Sequence, residues 1–286
     1  MLWNALIVKG YAIEASDGRI GTVSDFLFDD KSWDIRWLVV DTGNWLLDRK
    51  VLLPPSVLGD IHAAGHEFLV DITMQQVRDS PDIDTQQPVS QQMEANIYDY
   101  YGQTSYWGGV LDIDTHSFTD NSRSSRPDRG TILSTRAFDG QKNDGDRHLR
   151  SVDRIKRYAI QASDGEIGHV NDFLIEDGSW NIRYIVVDTK NWWPENRVLI
   201  PPESVKKINW DAQSVYLHVD GQKVKESPPY DASTMVDEAY DNILLKYYGI
   251  KLDAARSALT KRYPHIFDAG VEWSRNFIRT LRSDAS

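Results

Sequence analysis

From Tyr11 the chain falls into short runs in which apolar and polar positions alternate, separated by turn residues. Alternation with a period of two is the mark of a half-buried β-strand. Tyr11 to Ala15 reads as a strand, and Ser16-Asp17-Gly18-Arg19 as a tight hairpin, because Gly accepts positive φ. The second strand runs from about Ile20 to Asp29. Its alternation slips between Val23 and Phe26, just after Gly21, which predicts a β-bulge. Asp30 to Trp33 makes a turn, and Asp34 to Asp41 is the third strand. That strand is apolar on both faces, with Ile35, Trp37 and Val39 on one and Leu38 and Val40 on the other. One face belongs inside a small barrel, and the other must meet a helix or another barrel. Lys50 to Leu53 follows, stopped by Pro54-Pro55, and Val57 to Ile61 and Glu67 to Ile72 form a last hairpin. Thr73 to Asp79 predicts a short helix with Thr73 as N-cap.

The period then changes. Val89, Met93, Ile97, Tyr100 and Tyr101 stand at helical spacing and end at Gly102. The whole pattern returns 147 residues later: Tyr158 to Pro202 repeats Tyr11 to Pro55 without insertion or deletion. Val236, Tyr240, Leu244, Tyr247 and Tyr248, ending at Gly249, repeat the helix, and Leu149 repeats Leu2. The chain is therefore a tandem repeat. The expected layout is a barrel with its trailing helix over 1–102, a linker over 103–147, a second barrel with helix over 148–249, and a tail over 250–286. Ser, Asp, Asn, Gly and Arg dominate the linker, which predicts flexibility. The tail predicts two helices broken by Pro264, the second placing Trp273, Phe277 and Leu281 on one face flanked by arginines.

Charge and composition narrow the functional classes. Net charge is −11 without a long basic patch, which disfavours nucleic acid as a partner. The absence of cysteine removes disulfides, thiolate metal sites and thiol nucleophiles. No apolar run reaches a membrane span, and MLWNALIVKG lacks the features of a signal peptide, so a cytoplasmic protein is expected.

The order S-D-G-x-I-G-x-V-x-D-F-L, then W-x-I-R-x-x-V-V-D-T, then a basic residue with V-L-x-P-P, resembles a PRC-barrel domain. Arg19–Leu27, Trp33–Thr42 and Lys50–Pro55 carry the likeness in the first copy. Glu166–Leu174, Trp180–Thr189 and Arg197–Pro202 carry it in the second. The resemblance implies a mainly β fold of two tandem small, mostly antiparallel barrels. At fold level it extends to the cytoplasmic domain of the photosynthetic reaction-centre H subunit and the C-terminal domain of the ribosome maturation factor RimM. Both use the barrel to bind protein partners, and the chain resembles the stand-alone bacterial members. No catalytic residue and no cofactor comes with the resemblance.

Candidate sites are few. Asp25 and Asp41 recur as Asp172 and Asp188. Such pairs suggest acid–base chemistry, but aspartates near strand ends more commonly accept turn amides or pair with an arginine such as Arg36 or Arg183. His62 and His66 have no metal-ligand spacing on a hairpin. Trp45, Trp192 and Trp193 fall in the loop before the fourth strand, where they either anchor a partner or fold back on the barrel end. Trp273 and Phe277 either pack on protein or touch an anionic membrane surface. Asp17, Gly18, Asp164 and Gly165 are structural turn residues. The expected function is a non-enzymatic protein-interaction or scaffold module whose two barrels pair as an intramolecular pseudo-dimer. The alternative is an accessory subunit at the cytoplasmic face of a membrane energy-converting complex, as in the H subunit.

Overall fold

The structure is a computed structural model and describes residues 1–47, 49–62, 65–81, 96–97, 100–102, 148–189, 197–231 and 236–250. In chain order the strands are β1 (Leu2–Asn4), β2 (Ala12–Ala15), β3 (Gly18–Asp29), β4 (Ile35–Asp41), β5 (Lys50–Leu53), β6 (Leu58–His62) and β7 (Glu67–Val70). The second series is β8 (Leu149–Ser151), β9 (Ala159–Ala162), β10 (Gly165–Glu176), β11 (Ile182–Asp188), β12 (Arg197–Ile200), β13 (Val205–Asn209), β14 (Ser214–Leu217) and β15 (Pro229–Tyr230). Two compact mainly β units result. One holds the sheet β5-β4-β3-β2-β7-β6, with β8 also on β3; the other holds β13-β14-β9-β10-β11-β12-β15, with β1 also on β10. The pairing is antiparallel except β2 with β7 and β9 with β14, which are parallel.

The ends of the units do not follow the repeats. One unit is Val8–Ser151; the other is Met1–Ile7 together with the chain from Val152 onward. Strand β1, from the first repeat, pairs antiparallel with β10, and β8, from the second repeat, pairs antiparallel with β3. Each sheet thus receives one strand from the other repeat. The hydrophobic pattern did not predict either strand.

Long strands β3 and β10 organise both sheets. The slip in alternation is a register shift between Val23 and Asp25, repeated between Val170 and Asp172. A second shift leaves Ile20 extra between Arg19 and Gly21, and Ile167 extra between Glu166 and Gly168. At Gly21 and Gly168 the neighbouring strand comes so close that a Cβ would lie 2.1 Å from the carbonyl oxygen of Asp41 or Asp188. Bulges of this kind bend a sheet and increase its twist.

The two apolar faces of β4 have different covers. Leu38 and Val40 are fully buried with Val51 and Leu53, the alternate residues of β5. On the opposite face Trp37, Val39 and Leu52 pack with Ile97 and Leu149, flanked by Leu27 and Tyr101. The second unit repeats this with Leu174, Tyr184, Val186, Leu199, Tyr230 and Leu244, flanked by Leu2, Val236, Tyr240 and Tyr248. Residues of the trailing helical stretch, with one leucine from the exchanged strand, are therefore the cover on that face. The helix Glu238–Tyr248 starts at Asp237, whose carboxylate accepts the Tyr240 N–H at 2.8 Å, and ends at Gly249 with φ 75°. The short helix Met74–Asp79 has the predicted Thr73 N-cap, closed as a capping box by Gln76. No helix among the described residues is long and apolar enough to cross a membrane.

Candidate functional site

The predicted turn residues lie at the ends of β2–β3 and β9–β10. Ala15 pairs with Gly18 and Ala162 with Gly165, so Ser16-Asp17 and Ser163-Asp164 are the central residues and each glycine closes its turn. Gly18 and Gly165 have φ of 148° and 150°. The aspartates do more than turn the chain. Asp17 accepts the Met74 N–H at 2.7 Å and Asp164 accepts the Gly221 N–H at 2.7 Å. Each carboxylate meets the first N–H of the short helix of its unit, where negative charge is favoured. Asp164→Ala is expected to lower the stability of its unit by about 1 kcal/mol, read as a shift in urea midpoint.

The recurring acids serve the backbone as well. Asp41 accepts the Gly43 N–H at 2.9 Å. Asp25 accepts the Phe26 N–H at 2.8 Å and the Ser151 hydroxyl at 2.5 Å. Asp172 accepts the Phe173 N–H at 2.8 Å and the Leu6 N–H at 3.1 Å. Burial pushes the Asp172 carboxyl up to about 6, against these two amides and the charges of Lys156 and Arg197. The expected arginine partners pair elsewhere: Arg36 lies 3.5 Å from Asp29, and Arg183 lies 3.2 Å from Asp241. Asp241 also accepts the Tyr184 hydroxyl, which locks the helix Glu238–Tyr248 onto β11. Burial disfavours the Arg183 cation, but Glu176 and Asp241 outweigh it and its pKa rises. Burial, then the hydrogen bond to Asp241, keep Tyr184 protonated. The sequence pattern missed Asp241, because a lone acid on a helix gives no sign of the strand arginine it will meet.

Of the five aromatic residues expected at an interaction surface, Trp192, Trp193, Trp273 and Phe277 lie outside the described residues, as do the linker and most of the tail. Trp45 sits in the 3-10 turn Gly43–Leu46 between β4 and β5. It is half-buried; its indole N–H donates to the Ile20 carbonyl, and the Arg78 guanidinium lies 5.9 Å from its ring centre. Thr42 closes the loop base, its hydroxyl donating to the Arg49 carbonyl at 2.6 Å. Arg49 in turn donates to the Arg78 carbonyl at 2.9 Å and to the Ser80 carbonyl. On this braced loop Leu47 stands 92% exposed at φ 52°. A γ-branched side chain held in the left-handed region and fully in water is unfavourable twice, locally and by hydration. The sequence reading passed over it, although an apolar pair after Trp45 in a loop is the available signal.

His66, at φ 51°, places its ring 5.0 Å from Tyr11 in an edge contact. Among the described residues no group of three or more His, Asp or Glu side chains is placed to hold a metal ion.

Comparison with known proteins gives one result. No protein with a curated description matches the chain. The family model for the PRC-barrel domain matches twice, over residues 8–77 and 149–222. Each match falls on one of the two series of strands built on β3 and β10. With two matched copies that together span about half of its length, the chain belongs to the PRC-barrel family.

Proposed function

We propose that this chain is a non-enzymatic protein-interaction or scaffold module of the cytoplasm, in which each sheet closes as a PRC barrel and the two barrels act as an intramolecular pseudo-dimer. The reciprocal exchange of β1 and β8 supports the pseudo-dimer, since each unit needs a strand from the other repeat. Asp25, Asp41, Asp164 and Asp172 are engaged by backbone amides, a hydroxyl or a helix start, which supports structural work for them.

One observation carries the interaction reading: Leu47, exposed and strained, on a loop braced by Thr42, Trp45 and Arg49. Binding residues concentrate on loops positioned by a rigid scaffold, and an exposed apolar side chain there gains free energy when a partner removes it from water. The test is affinity purification of the tagged full-length chain from its own host, beside Leu47→Asp. Removing a buried anchor typically weakens binding by about 1–3 kcal/mol, so the variant is expected to lose a stoichiometric protein partner with an unchanged melting temperature. Retention of every partner by Leu47→Asp overturns the assignment of the site. Recovery with an integral membrane assembly places the module in the H-subunit-like accessory role; absence of any stoichiometric protein partner overturns the interaction reading itself.

A further inference from the structure

The two exchanged strands are held in the same way. Leu2, Trp3 and Asn4 lie opposite Glu176, Ile175 and Leu174; Leu149, Arg150 and Ser151 lie opposite Asp29, Phe28 and Leu27. Just before each donor the acceptor adds one more bond, from the Asp177 N–H to the Met1 carbonyl at 2.8 Å and from the Asp30 N–H to the His148 carbonyl at 2.9 Å. The first residue of both donors is leucine, and each leucine packs into the cluster shared with the trailing helical stretch. The third residue of both is polar and finds a partner on the acceptor unit. The Tyr230 hydroxyl donates to Asn4 Oδ1 at 3.3 Å, and the Ser151 hydroxyl donates to Asp25 at 2.5 Å. The middle residue differs. Arg150 reaches Asp30 at 3.4 Å, whereas the buried indole N–H of Trp3 has no acceptor. Backbone pairing gives such a contact its affinity, and pockets for alternate side chains give it selectivity.

We propose that the edges of β10 at Leu174–Glu176 and of β3 at Leu27–Asp29 are strand-binding sites that read an extended triplet with leucine first and asparagine or serine third. The triplet is accepted from the same chain and equally from the N-terminal segment of a second copy. What holds β1 on β10 is non-covalent: three residues in antiparallel register, the Met1 carbonyl on the Asp177 N–H, one apolar contact, one side-chain hydrogen bond, and the Leu6 N–H on Asp172. Each unit also depends on the opposite repeat. Weakening β1, at the start of the chain, loosens the unit that runs from Val152 onward and leaves Val8–Ser151 intact.

Hydrogen–deuterium exchange of the full-length chain tests this. In Leu2→Asp with Asn4→Gly, exchange in peptides covering Leu174–Glu176 is expected to rise about tenfold or more, with peptides covering Ala12–Leu53 unchanged. A synthetic peptide of residues 1–8, added to that variant, restores protection of β10. The same peptide carrying both substitutions does not. Leu149→Asp moves the loss to Leu27–Asp29. Asn4→Gly alone, which keeps the leucine, gives a smaller rise at the same place and serves if the double variant does not fold. The proposal is overturned if Leu174–Glu176 stays protected in the variants, if the loss falls in Ala12–Leu53 instead, or if the added peptide restores nothing.

Discussion

Gly168→Ala is expected to cost the second unit about 3 kcal/mol, combining overpacking of roughly 1–3 kcal/mol with backbone strain of roughly 1–2 kcal/mol. The new Cβ would lie 2.1 Å from the Asp188 carbonyl oxygen and 3.0 Å from its carbon, so backbone, rather than the end of a flexible side chain, must move. Gly168 also has φ 150°, where an L residue is strained. Its neighbour in sequence, Gly165, has the same φ but no heavy atom within 4 Å of its missing Cβ. Gly165→Ala carries only the strain and is expected to cost roughly 1–2 kcal/mol. Urea denaturation of the two variants separates close approach from backbone conformation. Gly168→Ala no worse than Gly165→Ala would mean that β11 yields freely, and that the bulge on β10 is not fixed by contact with it. Gly21→Ala, 2.1 Å from the Asp41 carbonyl oxygen but without a positive φ, should show the overpacking part alone, roughly 1–3 kcal/mol, in the first unit.

Asp172→Asn is expected to flatten the acid side of the stability profile of the second unit. The folded-state pKa of Asp172, about 6, lies above its ordinary value of 3.8, chiefly because the carboxyl is buried. The folded state therefore binds the proton more tightly than the unfolded chain. The resulting stability is fully present below about pH 3.8 and is lost as pH rises through about 6. A shift of this size corresponds to about 3 kcal/mol between those limits, an upper value for a carboxyl that keeps two amide donors. Asparagine can still accept from Phe173 and Leu6 through its Oδ1 and does not titrate. Other carboxylates titrate in the same range, so the measurement is the difference between the wild-type chain and the variant across pH 4 to 7. Parallel profiles would show that Asp172 is ionised in the fold without penalty.

Pattern and spacing alone gave away the repeat, most strands, the hairpins closed by Gly18 and Gly165, the Thr73 cap and the bulges near Gly21 and Gly168. Each of these is local. Side-chain alternation, the freedom of glycine at positive φ and the reach of a capping oxygen act within a few residues and leave a trace in spacing. The position of the trailing helical stretch was half legible: both faces of Ile35–Asp41 are apolar, but pattern does not say what lies against them. Candidate chemistry was less legible. Asp25 and Asp172 recur in the repeats, yet whether a carboxyl meets a strand-end amide, an exchanged serine or an arginine depends on neighbours more than 100 residues away. The apolar pair Leu46-Leu47 was legible, but which of the two stays in water was not, because exposure belongs to the folded surface and not to the residue type. The exchange of β1 and β8 was decided by tertiary structure alone. The triplets Leu2–Asn4 and Leu149–Ser151 take the same antiparallel register on the edges Leu174–Glu176 and Leu27–Asp29, so register alone does not name the donor. Hydrogen-bond register does not record which repeat supplied the strand; only the path of the chain on leaving it, through Ala5–Val8 and Val152–Ile155, makes that choice.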